Sequence, residues 1–324
     1  MDKQVYLNLR KNLDLEFKNH VLYFHLAQDL CLLAICAYLF IQEKGLQYWA
    51  IPLISVLMFR NFSLMHDAVH GLISKNKNIN DVIGIIAGSF CVLPYEPWKM
   101  VHLEHHYWSG NVEKDPVMGL MRTFPTWPPY LQKMLGLCWQ LWIPVLALFQ
   151  YGLFWWHSTA QVIKKTKSVK QLTSIGFPLL LWGSLFIALP LSSTVGVIIP
   201  ALILYLLAVE VVNFPHHIGL PQYRGEHKIA VWNQHEIARS CIYPVWLSKF
   251  VALNFNYHTE HHMFPDAPWY TLDKIHHHLK AQLKEDYNTD PQFVWIVENR
   301  PKTLAVLLLT PAQGQRISEL KSAA

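Results

Sequence analysis

Long apolar blocks separated by short polar turns set the character of this chain. Four of them, roughly residues 21–42, 47–65, 173–192 and 194–214, reach the length of about 20 mostly apolar residues that a membrane-spanning helix needs. The turns within each pair, around 42–46 and 191–194, are too short to hold a domain, so the pattern predicts two helical hairpins. All remaining polar sequence then falls on the opposite side of the bilayer.

The distribution of basic residues orients that arrangement. Between the hairpins lie Lys75, Lys77, Lys99, Lys114, Arg122, Lys133, Lys164, Lys165, Lys167 and Lys170, against Lys44 alone in the hairpin turns. Short cytoplasmic loops are enriched in lysine and arginine, so both termini and the central segment are expected in the cytoplasm. Two further apolar stretches, about 82–97 and 134–156, interrupt the central segment. The first contains Gly84, Gly88, Pro94 and Pro97 and is short, which predicts a helix that enters the membrane partway or packs on the polar domain. The second carries Trp139, Trp142, Phe149, Tyr151, Phe154, Trp155 and Trp156, a set suited to a helix in the headgroup layer, although it is long enough to cross. Crossing by both would leave the sidedness unchanged. The chain has no internal repeat or linker and reads as a single domain over 1–324, of the all-α class.

Composition agrees with the bilayer as solvent: 52% of the 324 residues are apolar and 15% charged. The formal net charge of +5 is largely a consequence of the cytoplasmic lysines, and no feature supports nucleic-acid binding. Cys31, Cys36, Cys91, Cys138 and Cys241 form no CxxC pair, which argues against a disulfide framework or an iron–sulfur site. The polar stretch to Lys18 lacks the apolar core and cleavage site of a removable leader.

The chemistry lies in three histidine clusters near the cytoplasmic mouths of the apolar blocks: His66-Asp67-Ala68-Val69-His70, His102-Leu103-Glu104-His105-His106 and His258-Thr259-Glu260-His261-His262. Residues four apart share a helix face, so His66 and His70 can point at one ion. HxxHH adds a third imidazole to such a face and occurs twice, 156 residues apart. Eight imidazoles exceed the needs of one first-row ion, whereas tetrahedral zinc takes four ligands, so two metals are implied. Asp67, Glu104 and Glu260 lie inside the clusters. Bound imidazoles usually donate their second N–H to a carboxylate or carbonyl, a role these three can serve, unless Glu104 and Glu260 face water or basic side chains.

These boxes, their order and the four-helix layout resemble the membrane fatty acid desaturase and hydroxylase superfamily over roughly residues 20–280. Residues 102–116 (HLEHHYWSGNVEKDP) and 257–272 (YHTEHHMFPDAPWYTL) are most similar to acyl-lipid desaturases and the related carotenoid-ring oxygenases. The resemblance implies a mushroom-shaped bundle of four transmembrane helices in two hairpins, under a cytosolic helical cap holding two non-haem irons. It also implies a ninth ligand in an Asn-x-x-x-His arrangement, supplied by Asn213-Phe-Pro-His-His217. His217 would be the ligand and Asn213 would hold a metal-bound water, with His216 the adjacent competitor across the helix break at Pro215. Dioxygen is the implied co-substrate and an acyl chain, lipid-linked or carrier-linked, the implied substrate. No His-Pro-Gly-Gly haem motif occurs in these 324 residues, so a separate ferredoxin, or cytochrome b5 with its reductase, is the expected electron donor. The basic central segment could steer an acidic partner of this kind.

Other polar residues have plainer expectations. His227 and His235 read as surface residues, and the run His276, His277 and His278 as interfacial surface, because consecutive helical residues point in different directions. Asp115 before Pro116 is either the family's acidic turn or a helix cap. Asp29 and Glu210 sit inside apolar blocks, where acidic residues are expensive. Asp29 is expected to pair with another polar group or lie near a helix end, and Glu210 to touch the metal domain or an acyl channel. The leading function is an O2-dependent desaturase; the nearest rival is a hydroxylase or ketolase of carotenoid, sterol or alkyl substrates. A metal transporter would place ionisable groups along a path through the bilayer rather than on one face. A metalloprotease would place glutamate after the first histidine of its HExxH, where this chain has Asp67.

Overall fold

The computed structural model describes residues 1–42, 45–165 and 168–309; Lys44 and Lys167, counted above among the basic residues, lie outside them. The chain is mostly helical. Helix α1 (Lys3–Asn12) starts at Asp2, whose carboxylate accepts from the N–H groups of Gln4 and Val5. Helix α2 (Asn19–Ile41) leads through a 3-10 turn into α3 (Ala50–Val69). Helices α4 (Lys77–Phe90) and α5 (Tyr95–Trp108) meet at 103°. After α6 (Gly119–Thr123), helix α7 (Pro129–Gln140) meets α8 (Val145–Gly152) at 118°, and α8 runs through a π-helical stretch into α9 (Thr159–Lys165). Helix α10 (Val169–Ala188) follows. Next come α11 (Leu191–Ser193), a π-helical stretch and α12 (Ile199–Asn213), which together form one unit from Leu191 to His216. The remainder holds β1 (Ser240–Ile242), α13 (His258–Met263), α14 (Leu272–Leu283), β2 (Thr289–Pro291), α15 (Gln292–Asn299) and α16 (Leu304–Leu309); β1 and β2 pair in parallel.

Among the described residues four helical units are long and apolar enough to cross a membrane: α2, Leu46–Val69, α10 and Leu191–His216. Their burial separates their roles. Only 17% of the most apolar stretch of α2 and 11% of that of α10 is buried, against 61% for the unit ending in α3. α3 is thus the central helix, packed against α2, α4 and α12. Leu30, Tyr38, Leu180 and Ile187 stay exposed on the outer helices, as suits side chains in contact with lipid.

The two apolar stretches inside the central segment each become an angled helix pair rather than one helix. The first stretch supplies the end of α4, a break at 91–94 and the start of α5; the second spans α7, a break at 141–144, α8 and part of the π-helical stretch. Pro94 and Pro144 stand at the N-caps after the breaks, where a missing N–H costs nothing. Val92 (φ 57°) and Trp142 (φ 62°) take the left-handed conformation that bulky side chains disfavour. Side-chain bonds hold the first break: Trp155 Nε1 donates to Val92 O at 2.8 Å and Tyr151 Oη to Cys91 O at 3.1 Å. Gly84 lets α4 and α5 approach, since a Cβ there would stand 2.2 Å from the Tyr95 ring. Tyr95 in turn donates to Ala68 O at 3.3 Å, fixing α5 to the last turn of α3.

Asp29 pairs with other polar groups, as expected. The fully buried Arg60 of α3 donates from Nε to its carboxylate and from Nη1 to Phe250 O, with His25 Nδ1 2.8 Å from Nη2. His25 Nε2 closes the network on Asp29 at 3.1 Å. Removing one member of a buried pair leaves the other charge uncompensated, which costs about 3–5 kcal/mol, whereas replacing both by apolar groups is often neutral. Arg60→Leu is therefore expected to lower stability by about 3–5 kcal/mol and the double replacement Asp29→Leu/Arg60→Leu to recover most of it, read from unfolding midpoints in detergent. Equal midpoints for the two would show that the pair does not act as a unit.

Candidate metal centre

Each histidine cluster stands where a helix end can present it. His66 occupies the last turn of α3 and His70 its C-cap, so the helix extends four residues beyond the apolar block read from the sequence. His102, His105 and His106 lie on α5, with His102 and His105 buried while Leu103 and Glu104 face outward, as the helical period requires. The third cluster forms the six-residue α13, entirely buried. It is preceded by Leu253 (φ 49°) and Asn254 (φ 54°), two consecutive left-handed residues. Asn254 is held there by Ser248 Oγ (2.8 Å) and by its own bond to Trp269 O (3.0 Å). His217 follows a 3-10 turn that contains Pro215.

The nine histidines singled out from the sequence converge in two groups. His66, His70, His102, His106 and His261 form one; His105, His217, His258 and His262 form the other; within each group one ring nitrogen per residue lies within 4.8 Å of all the others. Box three and box two both divide between the groups, because i+3 and i+4 neighbours fan to either side of one helix face. The nitrogens approach closely: His70–His102 2.8 Å, His102–His106 3.1 Å and His106–His261 2.9 Å in the first group. In the second, His217–His258 is 2.8 Å and His258–His262 2.9 Å.

Hydrogen bonding cannot account for this packing. An imidazole nitrogen carries either one N–H or one lone pair, yet Nε2 of His102, of His106 and of His258 each faces two other Nε2 atoms. A shared cation satisfies them all. With metal–nitrogen bonds of about 2.0–2.1 Å, neighbouring ligand nitrogens stand ~3.0–3.4 Å apart, close to the separations seen. His66 Nε2 is buried without a partner among the described residues, as expected of a nitrogen reserved for such an ion. Burial holds the imidazoles of His258, His261 and His262 well below their usual pKa, and burial with nearby Lys99 brings His70 down to about 3. They are neutral at physiological pH, the form that binds metal.

The tautomers of the second group are set by groups distant in sequence. His105 Nδ1 donates to the buried Asp115 carboxylate at 2.9 and 3.0 Å, His217 Nδ1 to Ile237 O at 2.9 Å and His262 Nδ1 to Gln234 Oε1 at 2.8 Å. Each bond places the proton on Nδ1 and leaves the Nε2 lone pair for the ion. Asp115 also caps the following 3-10 turn by accepting from Val117 N, the cap being one of the two alternatives read from the sequence. Gln234 and Ile237 carried no sequence signal. A backbone carbonyl has none to give, and one glutamine in a loop resembles any other.

Several expectations are corrected. Glu104 is exposed on the outer face of α5 and, among the described residues, bonds no histidine, which is the water-facing alternative. Glu260 is fully buried but turns away from the ring nitrogens: it accepts from Ser240 Oγ and Tyr287 Oη, and its Oε1 lies 2.8 Å from His276 Nδ1. His276 is accordingly buried and not interfacial surface, whereas His277 and His278 are exposed as expected. His235 is buried near the N-terminus, with its Nε2 3.4 Å from the Met1 nitrogen, while His227 is exposed. Asp67 accepts from Trp269 N at 3.2 Å, and its carboxylate lies 3.5 Å from His66 Nδ1, an ion-pair distance and not a hydrogen bond. Asn213 Nδ2 donates to Val209 O at 2.9 Å. His216 stacks on His258 (centroids 4.1 Å apart, 13° between planes) with both ring nitrogens unpartnered among the described residues, so His217, and not His216, joins a group.

A cavity of about 430 Å³ reaches these groups. His66, His102, His105, His216, His217 and His258 line one part, and apolar side chains such as Phe62, Met118, Leu146, Phe154 and Phe255 most of the rest.

Long apolar helices beside two buried, all-imidazole groups define a membrane protein equipped to hold metal. The "Fatty acid desaturase" family model matches residues 44–293, and the chain belongs to that family. It is similar to an omega-3 fatty acid desaturase of Caenorhabditis elegans, 29% identical over 158 residues, 45% of this chain and 39% of the relative. An endoplasmic reticulum omega-3 fatty acid desaturase of Vigna radiata var. radiata is 28% identical over 276 residues (76% and 67%). An sn-1 acyl-lipid omega-3 desaturase (ferredoxin) of Nostoc sp. (strain 36) is 25% identical over 277 residues (78% and 69%). The chain thus spans 39% to 69% of the length of these relatives.

Partners that orient bound imidazoles are worth about 10- to 100-fold in metal affinity. Asp115→Ala is expected to weaken one of two metal ions by that factor and leave the other unchanged, measured by metal titration of the purified protein. Equal weakening of both ions would show that Asp115 serves the fold rather than His105.

Proposed function

We infer that this protein is an O2-dependent acyl-lipid desaturase with a non-haem di-iron centre. The observation that carries this reading is the pair of imidazole groups side by side at one part of a mainly apolar cavity. His66, His70, His102, His106 and His261 would hold one iron and His105, His217, His258 and His262 the other. When bound, the irons supply dioxygen activation and removal of hydrogen from an unactivated C–H bond. The overall balance is –CH2–CH2– plus O2, two electrons and two protons to –CH=CH– plus two waters.

The chain's own residues position and shield. Phe62, Phe154 and Phe255 supply apolar walls against which an alkyl chain can lie beside His66 and His258, in a cavity of the size usual for small-molecule sites. Asp115, Gln234 and the Ile237 carbonyl hold imidazole orientation while ligands exchange. Asn213, three residues after Glu210 and on the cavity wall, would hold a water near His217 once its amide leaves the Val209 carbonyl. Wall residues exclude bulk water from the reacting carbons. In the membrane, the four long helices would form two hairpins with the histidine groups in a cap on the cytoplasmic side, supported by the lysine and arginine distribution. That side is also where a ferredoxin, or cytochrome b5 with its reductase, would deliver electrons. The ferredoxin named for the Nostoc relative supports a soluble donor.

Expression in a host lacking this activity, with a reductase system supplied, tests the reading by mass spectrometry of total lipids. An acyl product lighter by two hydrogens, absent with His261→Ala, is the expected outcome. A product heavier by one oxygen, or an altered carotenoid, would replace desaturation by oxygenation.

A further inference from the structure

The cavity wall is built from both exposed and buried residues. Glu104, Arg122 and His157 on its wall are exposed, whereas Leu146, Ala147, Glu210 and Leu308 on the wall are buried. Leu308 belongs to α16, beyond the residues that the family model matches. It is the only residue of the segment 292–309 on the cavity wall among the described residues.

That segment is fastened in several places. Arg300 Nη1 donates to Glu210 Oε1 at 3.0 Å, and Glu210 Oε2 accepts from Leu146 N and Ala147 N at 2.9 and 3.4 Å. One buried carboxylate therefore joins α12, the start of α8 and the residue after α15. The Arg300 guanidinium lies between two indoles, 3.9 Å from the Trp139 ring and 4.4 Å from that of Trp142. Gln292 Nε2 donates to Val211 O at 2.6 Å and Gln140 Nε2 to Pro301 O at 2.9 Å. Leu304, Leu307 and Leu308 then bury in a cluster with Met118, Met121 and Leu146. Both oxygens of Glu210 are engaged, Oε1 by Arg300 and Oε2 by the α8 backbone, so this carboxylate holds the wall together.

We propose that residues 292–309 are the end wall of the cavity and that Leu308 limits the length of alkyl chain it admits, with the Arg300–Glu210 pair as the fastening. This rests on the reading of the cavity as an acyl-chain site. Each methylene that gains a buried place adds about fourfold in affinity, from ~0.8 kcal/mol per CH2. Shortening Leu308 to alanine makes room for about two more methylenes, and enlarging it to phenylalanine removes a comparable space.

The test is displacement of a fluorescent fatty acid from the purified full chain by straight-chain fatty alcohols of about 12 to about 20 carbons, where each buried carbon contributes as above. Leu308→Ala is expected to move the best-bound length up by about two carbons and Leu308→Phe to move it down. Leu304→Ala, in the same helix and cluster but off the cavity wall, should lower the melting temperature without moving the preferred length. If wild type binds the alcohols with one length profile shared by all three variants, the end-wall assignment fails while the acyl-chain reading stands. If wild type binds none of them, the acyl-chain reading fails and takes the end wall with it.

Discussion

Crowding of imidazole nitrogens governs this structure. Two groups of buried ring nitrogens, many at 2.8–3.1 Å from one another, cannot be satisfied by hydrogen bonds among themselves. Leaving them bare would cost the desolvation of several polar groups at once. A cation would reconcile burial with lone pairs that face each other. The arrangement of α3, α5 and α13 is best understood as the scaffold that brings those lone pairs together.

Around that centre the chain spends local strain. The left-handed residues Val92 and Trp142 sit at the breaks of the two angled helix pairs, and Leu253 and Asn254 precede the third box. A bulky residue in this conformation is held only where its surroundings over-determine it. Here the surroundings are explicit: indole and phenol donors on the carbonyls of Cys91 and Val92, and a serine hydroxyl on Asn254. Bent helices let α5 leave the direction of α4 and carry three histidines past the end of α3.

Buried charge follows a second pattern. The Asp29–Arg60 pair ties α2 to the central helix, and Glu210–Arg300 ties α12 to the last described segment. Neither carboxylate faces a histidine group. Acidic residues in apolar blocks are signals of function by default, yet here both are fasteners, and one of them stands on the wall of the cavity that reaches the histidine groups. At Glu210 a structural tie and the cavity wall coincide, which is why the sequence alone left its role open.

What the sequence determined by itself is whatever depends on short range. Helix period places His102, His105 and His106 on one side of α5, and apolar length marks the four long helices, because both follow from geometry within about one turn or one block. Family membership was legible for the same reason, in the contiguous boxes. Tertiary structure alone decided the division of nine histidines into five and four, since box two and box three each feed both groups. It chose His217 over His216 at a helix broken by Pro215, where neighbouring directions no longer follow a period. It also chose Asp115, Gln234 and Ile237 as the partners that set tautomers and gave Glu260 to His276 and Tyr287 instead. Most of those contacts join residues ten to twenty-eight apart, across turns whose course depends on packing and leaves no periodic trace.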